Sequence, residues 1–323
     1  MATGNTNYTA IITKTLQDMG TEIFDAVSTN NALLWMLKKR DNIKVRPGGR
    51  AFTHPIWYKA NSSFKMYSKL DTIATPIMDD YTRAEYPIKI AAGSLVLSTF
   101  DEACNAGDKT KILDEAETVR LAAERSMSQL LATQLFSTGG LANDFDGLQF
   151  LINDAPGAQT DVGGIDASAS GNDYWRNYAY PTAVAAFNTS NAGIISFDTT
   201  TCNTTFGNEG PRAIVTTKAI YMLYTLAMVG NIRYVTTELA DSGFQHLAYA
   251  TMPVLFDDNC PASHAYFIDL DNLWLQTIEK GNMKVTAFEN STNQLLKTAL
   301  MYFFGNLTTG SRRTQGVVPS ITA

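Results

Sequence analysis

Apolar residues recur at spacings of four and three through Ile12, Leu16, Met19, Ile23 and Val27, which lays one apolar stripe along a helix within residues 8–40. Asn30-Asn31 interrupts the stripe, and NALLWMLKKR predicts a short second helix. From Asn42 to about Pro87 the helical period vanishes. Pro47-Gly48-Gly49 marks a turn, and Pro55, Pro76 and Pro87 stop any helix. The extended pieces AFTHPIWY and NSSFKMYSKL between them carry Trp57, Tyr58, Phe64 and Tyr67. An isolated two-stranded ribbon is marginal in water and cannot bury four aromatics by itself. This arm is therefore expected to pack on something else, a neighbouring subunit, the alternative being that it folds back on its own domain.

A strand, YPIKIAAGSLVLST, leads through Asp101 and Glu102 into the clearest helical pattern, at residues 110–138. Leu113, Ala116, Val119, Ala123, Met127, Leu130 and Leu131 keep helical spacing. Asp108 is a cap, early acids suit the helix dipole, and Gly139-Gly140 ends the run. At about 28 residues and ~1.5 Å each, this is a strut roughly 40 Å long. Residues 141–210 are rich in turn formers and read as connection. The strand PRAIVTT, the helix AIYMLYTLAMVGNI, the extended pieces MPVLFDDNC and HAYFIDLDNLWLQTI, the strand-like LLKTALMYFFGNLTT and a polar tail complete the chain. Helices and strands follow in mixed order, so the fold class is α+β.

Composition narrows the function. Charged residues are 17% of the chain, thin for a soluble surface, which fits either subunits covering one another or an uncharged Thr- and Asn-rich surface. The net charge of −6 supplies no drive toward a polyphosphate, and Lys38-Lys39-Arg40 and Arg312-Arg313 read as a solvated helix end and tail. Cys104, Cys202 and Cys260 form no pair, which fits reduced thiols. Residues 213–230 are the most membrane-like window, but Lys218 and three threonines argue against a spanning helix. The N-terminus has no secretory pattern, so a soluble, intracellularly made protein is expected.

Chemistry is absent from the motifs. His54, His246 and His264 stand in no metal-ligand spacing, and there is no GxSxG elbow, Walker loop or GxGxxG. Asp257-Asp258 before Asn259-Cys260-Pro261 reads as a solvated loop. The stretch DVGGIDASASGNDYWRNYAYPTA, residues 161–183, holds three acids without calcium-loop spacing. It reads as a connection anchored by Trp175, with Arg176 bridging carboxylates at a domain or subunit boundary. No catalytic, cofactor-binding or metal residue is assigned, and the expected cofactor is none.

The order of NALLWMLKKR, PIWYKANSSFKMYS, KTKILDEAETVRLAAERSMSQLLATQLF, GLQFLI, GGIDAS…YWRN, PRAIVTTKAIYMLYTL, MPVLFDDNCP and YFFGNLTTGSRRTQ resembles the major capsid proteins of tailed bacteriophages, the Hong Kong 97-type fold. The resemblance spans about residues 8–318 and implies an N-terminal arm at 1–44 and an extended β-hairpin loop at 45–90 over an adjacent subunit. It implies a peripheral domain at 91–149 with its spine helix at 110–138, an axial domain at 150–265, and return strands and a C-terminal tail at 266–323. The implied function is self-assembly into hexamers and pentamers of an icosahedral head around double-stranded DNA, not enzymatic. Trp57, Tyr58, Phe64, Tyr67 and Arg176 are the suspected inter-subunit contacts. A scaffolding protein and a portal are the implied partners, with weak non-specific DNA contact and no membrane. The virion is the location, assembled in the bacterial host cytoplasm. Some relatives crosslink a loop lysine; Lys59, Lys65 and Lys69 lie in that segment, but lysines are commonplace in a polar arm. The alternatives are an encapsulin-like compartment shell and, remotely, an enzyme whose site assembles only in space.

Overall fold

The computed structural model describes residues 31–100, 109–228 and 247–322, apart from 74, 76, 78, 140, 185, 186, 188–190 and 292, with side chains in the long helix described from 118 onward. The stripe from Ile12 to Val27, Asp101, Glu102, Cys104, Asp108 and His246 lie outside the described residues. The described chain forms two compact units. The larger holds 31–91, 130–228, 247–284 and 302–322; the smaller holds 92–100, 109–129 and 285–301.

In the larger unit, α1 (Ala32–Lys39) buries Leu33, Leu34, Met36 and Leu37. Asn31 makes no side-chain cap. The carboxylate of Asp257, more than two hundred residues away, accepts the Leu33 backbone N–H at 3.0 Å. The Asp257 side chain is buried, so its reading as a solvated loop acid is corrected: it caps a helix.

Beyond the turn, β1 (Ile43–Arg46) leads into the extended arm, a hairpin of β2 (Ala51–Trp57) and β3 (Tyr81–Pro87) in antiparallel register from Ala51↔Pro87 to Trp57↔Tyr81. Alternation is clean: Phe52, His54, Ala84 and Tyr86 are buried, while Thr53, Pro55, Arg83 and Glu85 face out. Next come β4 (Lys89–Ser98) and α2 (Lys109–Gln134), 26 residues or about 39 Å. The helix ends four residues before its expected limit. There the chain turns, and Leu148 of α3 (Leu148–Leu151) donates its N–H to Leu135 O at 2.7 Å.

The connector at 161–183 uses its acids locally. Asp161 accepts the Gly164 N–H at 3.0 Å, and Asp166 accepts both the N–H and the hydroxyl of Ser168, which holds its carboxyl below the ordinary range. Trp175 is buried and donates its indole N–H to Val162 O at 2.8 Å. Gly163 has φ +63°, and a Cβ there would stand 3.0 Å from Ala84 Cβ and 3.2 Å from Tyr86 Cζ. Gly163 thus lets the connector approach the hairpin, and Glu85 N–H donates to Gly163 O at 2.8 Å.

A six-stranded sheet follows: β5 (Tyr178–Ala179), β6 (Ala213–Thr216), β7 (Leu247–Tyr249), β8 (Met252–Phe256), β9 (Ala265–Ile268) and, from far along the chain, β14 (Gly316–Val318). Their spatial order is β5-β14-β9-β6-β8-β7. In it, 265–268 lie beside β6, and 316–318 lie between β5 and β9. The sequence pattern reads the closing residues as a polar tail. Instead Arg312 and 314–318 are buried, because β14 sits inside the sheet between β5 and β9. Arg312, read as a solvated tail cation, is fully buried with four acceptors around it.

The helix α4 (Ala192–Thr204) lies where the sequence read only connection. Its threonines are poor helix formers because their hydroxyls compete for backbone bonds. Here those hydroxyls bond back along the helix, Thr199 to Ile195 O at 2.7 Å, Thr200 to Ser196 O at 2.8 Å and Thr204 to Thr200 O at 2.7 Å. Phe197 supplies the burial, ringed by Phe187, Tyr224, Tyr249 and Phe267 at 5.1–5.9 Å between ring centres. Tyr224 belongs to α5 (Lys218–Ala227), which Thr217 caps through its hydroxyl. No described helix is long and apolar enough to cross a membrane.

A second sheet pairs β1 with β10 (Leu273–Ile278) in parallel, and β10 with the second half of β13 (Leu296–Thr309) antiparallel; β11 (Lys284–Val285) is a short further strand of it. In the smaller unit, β12 (Glu289–Asn290) pairs with the first half of β13, Glu289↔Thr298 and Asn290↔Lys297. In the larger unit, Leu131 and Ala132 of the helix end and Leu135 just beyond it are buried, while Leu130 is half-exposed.

Candidate interaction surface

The hairpin's inner face is anchored by His54. Its ring stacks on Trp274 at 4.9 Å between centres and stands edge-on to Tyr86 at 6.0 Å. Its Nε2 lies 3.1 Å from Thr308 Oγ1 and 3.1 Å from Gln276 Nε2. Burial, with the Arg46 charge adding to it, pulls the imidazole down from 6.5 to about 4, so it is neutral near pH 7.

This yields a pH prediction. The unfolded chain binds a proton at His54 near pH 6.5 and the folded chain only near pH 4, so protonation favours unfolding in between. Stability from this residue is full above pH 6.5 and falls as the pH drops to 4. Burial holds the carboxyls of Asp146 and Asp257 high, which pulls the opposite way. Asp154 holds His264 high, and that stability is lost only as the pH rises above 6.5. A comparison with His54→Gln isolates the effect: the urea midpoint of wild type should drop more between pH 7 and pH 4.5 than that of the variant. Identical drops would contradict it.

Beyond the strands the arm is bare. Trp57 is 65% exposed and Phe64 86%, and Met66, Leu70 and Ile77 are almost wholly exposed. Tyr58 stacks on Tyr174 of the connector at 4.9 Å and donates its hydroxyl to Asp79 O at 2.8 Å. Tyr67 is half-buried, donating to Ser63 O at 2.7 Å under the Lys65 ammonium. So the structure places Trp57 and Phe64 in the open, and Tyr58 and Tyr67 against their own chain. Arg176 directs its donors into the connector, to Ala167 O at 2.6 Å, to Ser168 O at 3.4 Å and to Asp173.

Where the hairpin strands run into the 58–80 loop, Trp57, Tyr58, Tyr174, Phe206, Glu209, Arg313 and Thr314 help line a groove of about 440 Å³. The Arg313 guanidinium lies 3.4 Å over the Phe206 ring. Sequence reasoning missed this groove, because Phe206 and Arg313 are over a hundred positions apart and meet only through the fold. Among the described residues no group of three or more His, Cys, Asp or Glu could hold a metal.

No protein-family model matches the sequence, and no curated protein is significantly similar to it. Solved structures are similar over the whole chain. The capsid asymmetric unit of cyanophage A-1(L) superposes with a TM-score of 0.69 at 15% identity, covering 95% of this chain and 98% of that one. The Hong Kong 97-type capsid fold is therefore the fold of this chain. The capsid of the native GTA particle gives a TM-score of 0.61 at 14% identity, covering 95% of both chains. The SrpI encapsulin of Synechococcus elongatus, solved as a holo complex, gives 0.58 at 10% identity, covering 96% and 95%. In this Hong Kong 97-type chain the exposed hairpin and the 26-residue helix are features of the fold that the sequence pattern had already marked.

Proposed function

We propose that the chain is a major capsid protein, a non-enzymatic subunit that self-assembles into the hexamers and pentamers of an icosahedral phage head enclosing double-stranded DNA. One observation carries the reading: a capsid fold matched end to end, at 95% of this chain and 98% of the cyanophage subunit. The bare apolar hairpin supports it, because apolar area left open on a single chain marks an interaction surface. In this reading residues 1–44 form the N-terminal arm, 45–90 the extended loop, 91–149 the peripheral domain, 150–265 the axial domain and 266–323 the return segment. Trp57, Tyr58, Phe64, Tyr67 and Arg176 belong to subunit contacts. Scaffolding protein and portal are its partners, the host cytoplasm its place of assembly and the virion its location. The net charge of −6 suits weak contact with packaged DNA.

The encapsulin likeness supports a second reading, a compartment shell around protein cargo. The contents decide between them. Particles from the native source that protect double-stranded DNA from nuclease support the phage head. Particles that hold a co-purifying cargo protein and no protected DNA would replace it with the compartment.

A further inference from the structure

Charge is not spread evenly along this chain. Residues 38–50 hold Lys38, Lys39, Arg40, Lys44, Arg46 and Arg50 against the single acid Asp41, a net +5. The whole chain carries −6, so everything outside this segment carries −11, which is −6 less +5. All six cations are exposed, and they follow one another along the end of α1, along β1 and through the Pro47–Gly48–Gly49 turn. β1 lies at the edge of its sheet, where its one sheet neighbour among the described residues is β10. Lys44, Val45 and Arg46 of that strand all face solvent. Nearby acids do not neutralise the segment. Lys44 Nζ lies 3.4 Å from Asp41 Oδ2, but the Asp41 side chain is 92% exposed, and so solvated a pair is worth little. Arg40 Nη1 and Arg212 Nε share the one carboxylate of Asp271, at 3.4 and 3.2 Å. Lys38, Arg46 and Arg50 form no ion pair among the described residues.

We propose that the Lys38–Arg50 edge is the surface by which the subunit holds nucleic acid, binding the phosphate backbone of double-stranded DNA without reading its bases. Lys44 and Arg46 project from the same face of β1, ~6.7 Å apart along the strand. A DNA strand presents one phosphate per ~3.4 Å of axis, so a strand laid along the duplex repeats its cations every two steps. An acidic protein surface offers no such regular row. Between Arg46 and Arg50 the chain is bare backbone: a Cβ at Gly48 would meet nothing within 4 Å, so a phosphate can come close. The acidic remainder of the chain confines the contact to this edge and keeps it weak overall. This deepens the phage-head reading and rests on it.

Binding of a labelled duplex of about 20 base pairs to the unassembled full chain, between about 50 and 200 mM salt, tests the assignment. Wild type should bind, with affinity falling steeply as salt rises and two unrelated duplex sequences held alike. Arg46→Gln together with Arg50→Gln is expected to weaken binding at least about tenfold and to flatten the slope of log affinity against log salt by about 2. Lys59→Gln together with Lys69→Gln removes the same charge from exposed positions of the hairpin loop and should leave affinity within about twofold of wild type. Equal melting temperatures for the three chains show that all are folded. If the two double variants weaken binding equally, or if wild type does not bind the duplex at low salt, the edge is overturned. If polyglutamate of matched charge binds wild type as tightly as the duplex, the edge fits an acidic protein and the DNA assignment fails. The phage-head reading is judged separately, by the contents of the particles. Particles with protected DNA beside an indifferent Arg46–Arg50 variant would leave that reading standing and remove this edge from it. Particles with protein cargo and no DNA would end the reading and the assignment together.

Discussion

Arg312→Met is expected to lower the unfolding free energy of the subunit by about 3–5 kcal/mol, because four buried acceptors lose their donors together. The guanidinium is fully buried, and its donors reach Leu151 O at 2.8 Å, Trp175 O at 2.9 Å, Asn177 Oδ1 at 3.0 Å and Gln159 Oε1. These acceptors come from three separate stretches of chain, which one planar fork ties to the segment leading into β14. Desolvation brings the group down to about 10, still charged at pH 7, so the site has to satisfy a full cation. Methionine fills similar volume but strands the acceptors, each costing roughly 1–3 kcal/mol when buried unpaired. Arg312→Lys keeps the charge without the fork and is expected to fall between. Urea unfolding of the unassembled subunit measures this; a loss under about 1 kcal/mol for methionine would contradict it.

Phe64→Ala is expected to do the reverse, leaving the subunit intact and crippling association. Phe64 is 86% exposed, so its removal should shift unfolding by no more than about 0.5 kcal/mol. Buried in a contact, it is worth roughly 1.5–3 kcal/mol, or about 10- to 150-fold in affinity. Trp57→Ala should act in the same direction, with a somewhat larger effect on the subunit because part of its surface is already covered. Parallel melting and sedimentation assays separate the two effects. Equal losses in both would mean that the arm serves its own chain.

Periodic elements were legible in the sequence. The helix within NALLWMLKKR, the strut and the extended aromatic arm each carry their pattern in neighbouring residues, and the structure has them as α1, α2 and the β2–β3 hairpin. What was not legible depends on distant partners. The threonine-rich α4 has weak local propensity and stands because Phe197 enters an aromatic ring drawn from four other places in the sequence. Arg312 reads as a surface cation until β14 carries it inside, and Asp257 reads as a loop acid until α1 presents an open N–H. Of the interaction surface, the exposed Trp57 and Phe64 were visible as aromatics without local cover. The groove was not, since Phe206, Arg313 and Thr314 carry no shared motif.

Self-association is the central claim, and its most direct measurement is negative-stain microscopy of the purified full chain, alone and with its scaffolding protein. The account predicts closed shells, or rings of five and six that close when the scaffold is added. A compact monomer that persists at high concentration with the scaffold present would contradict it.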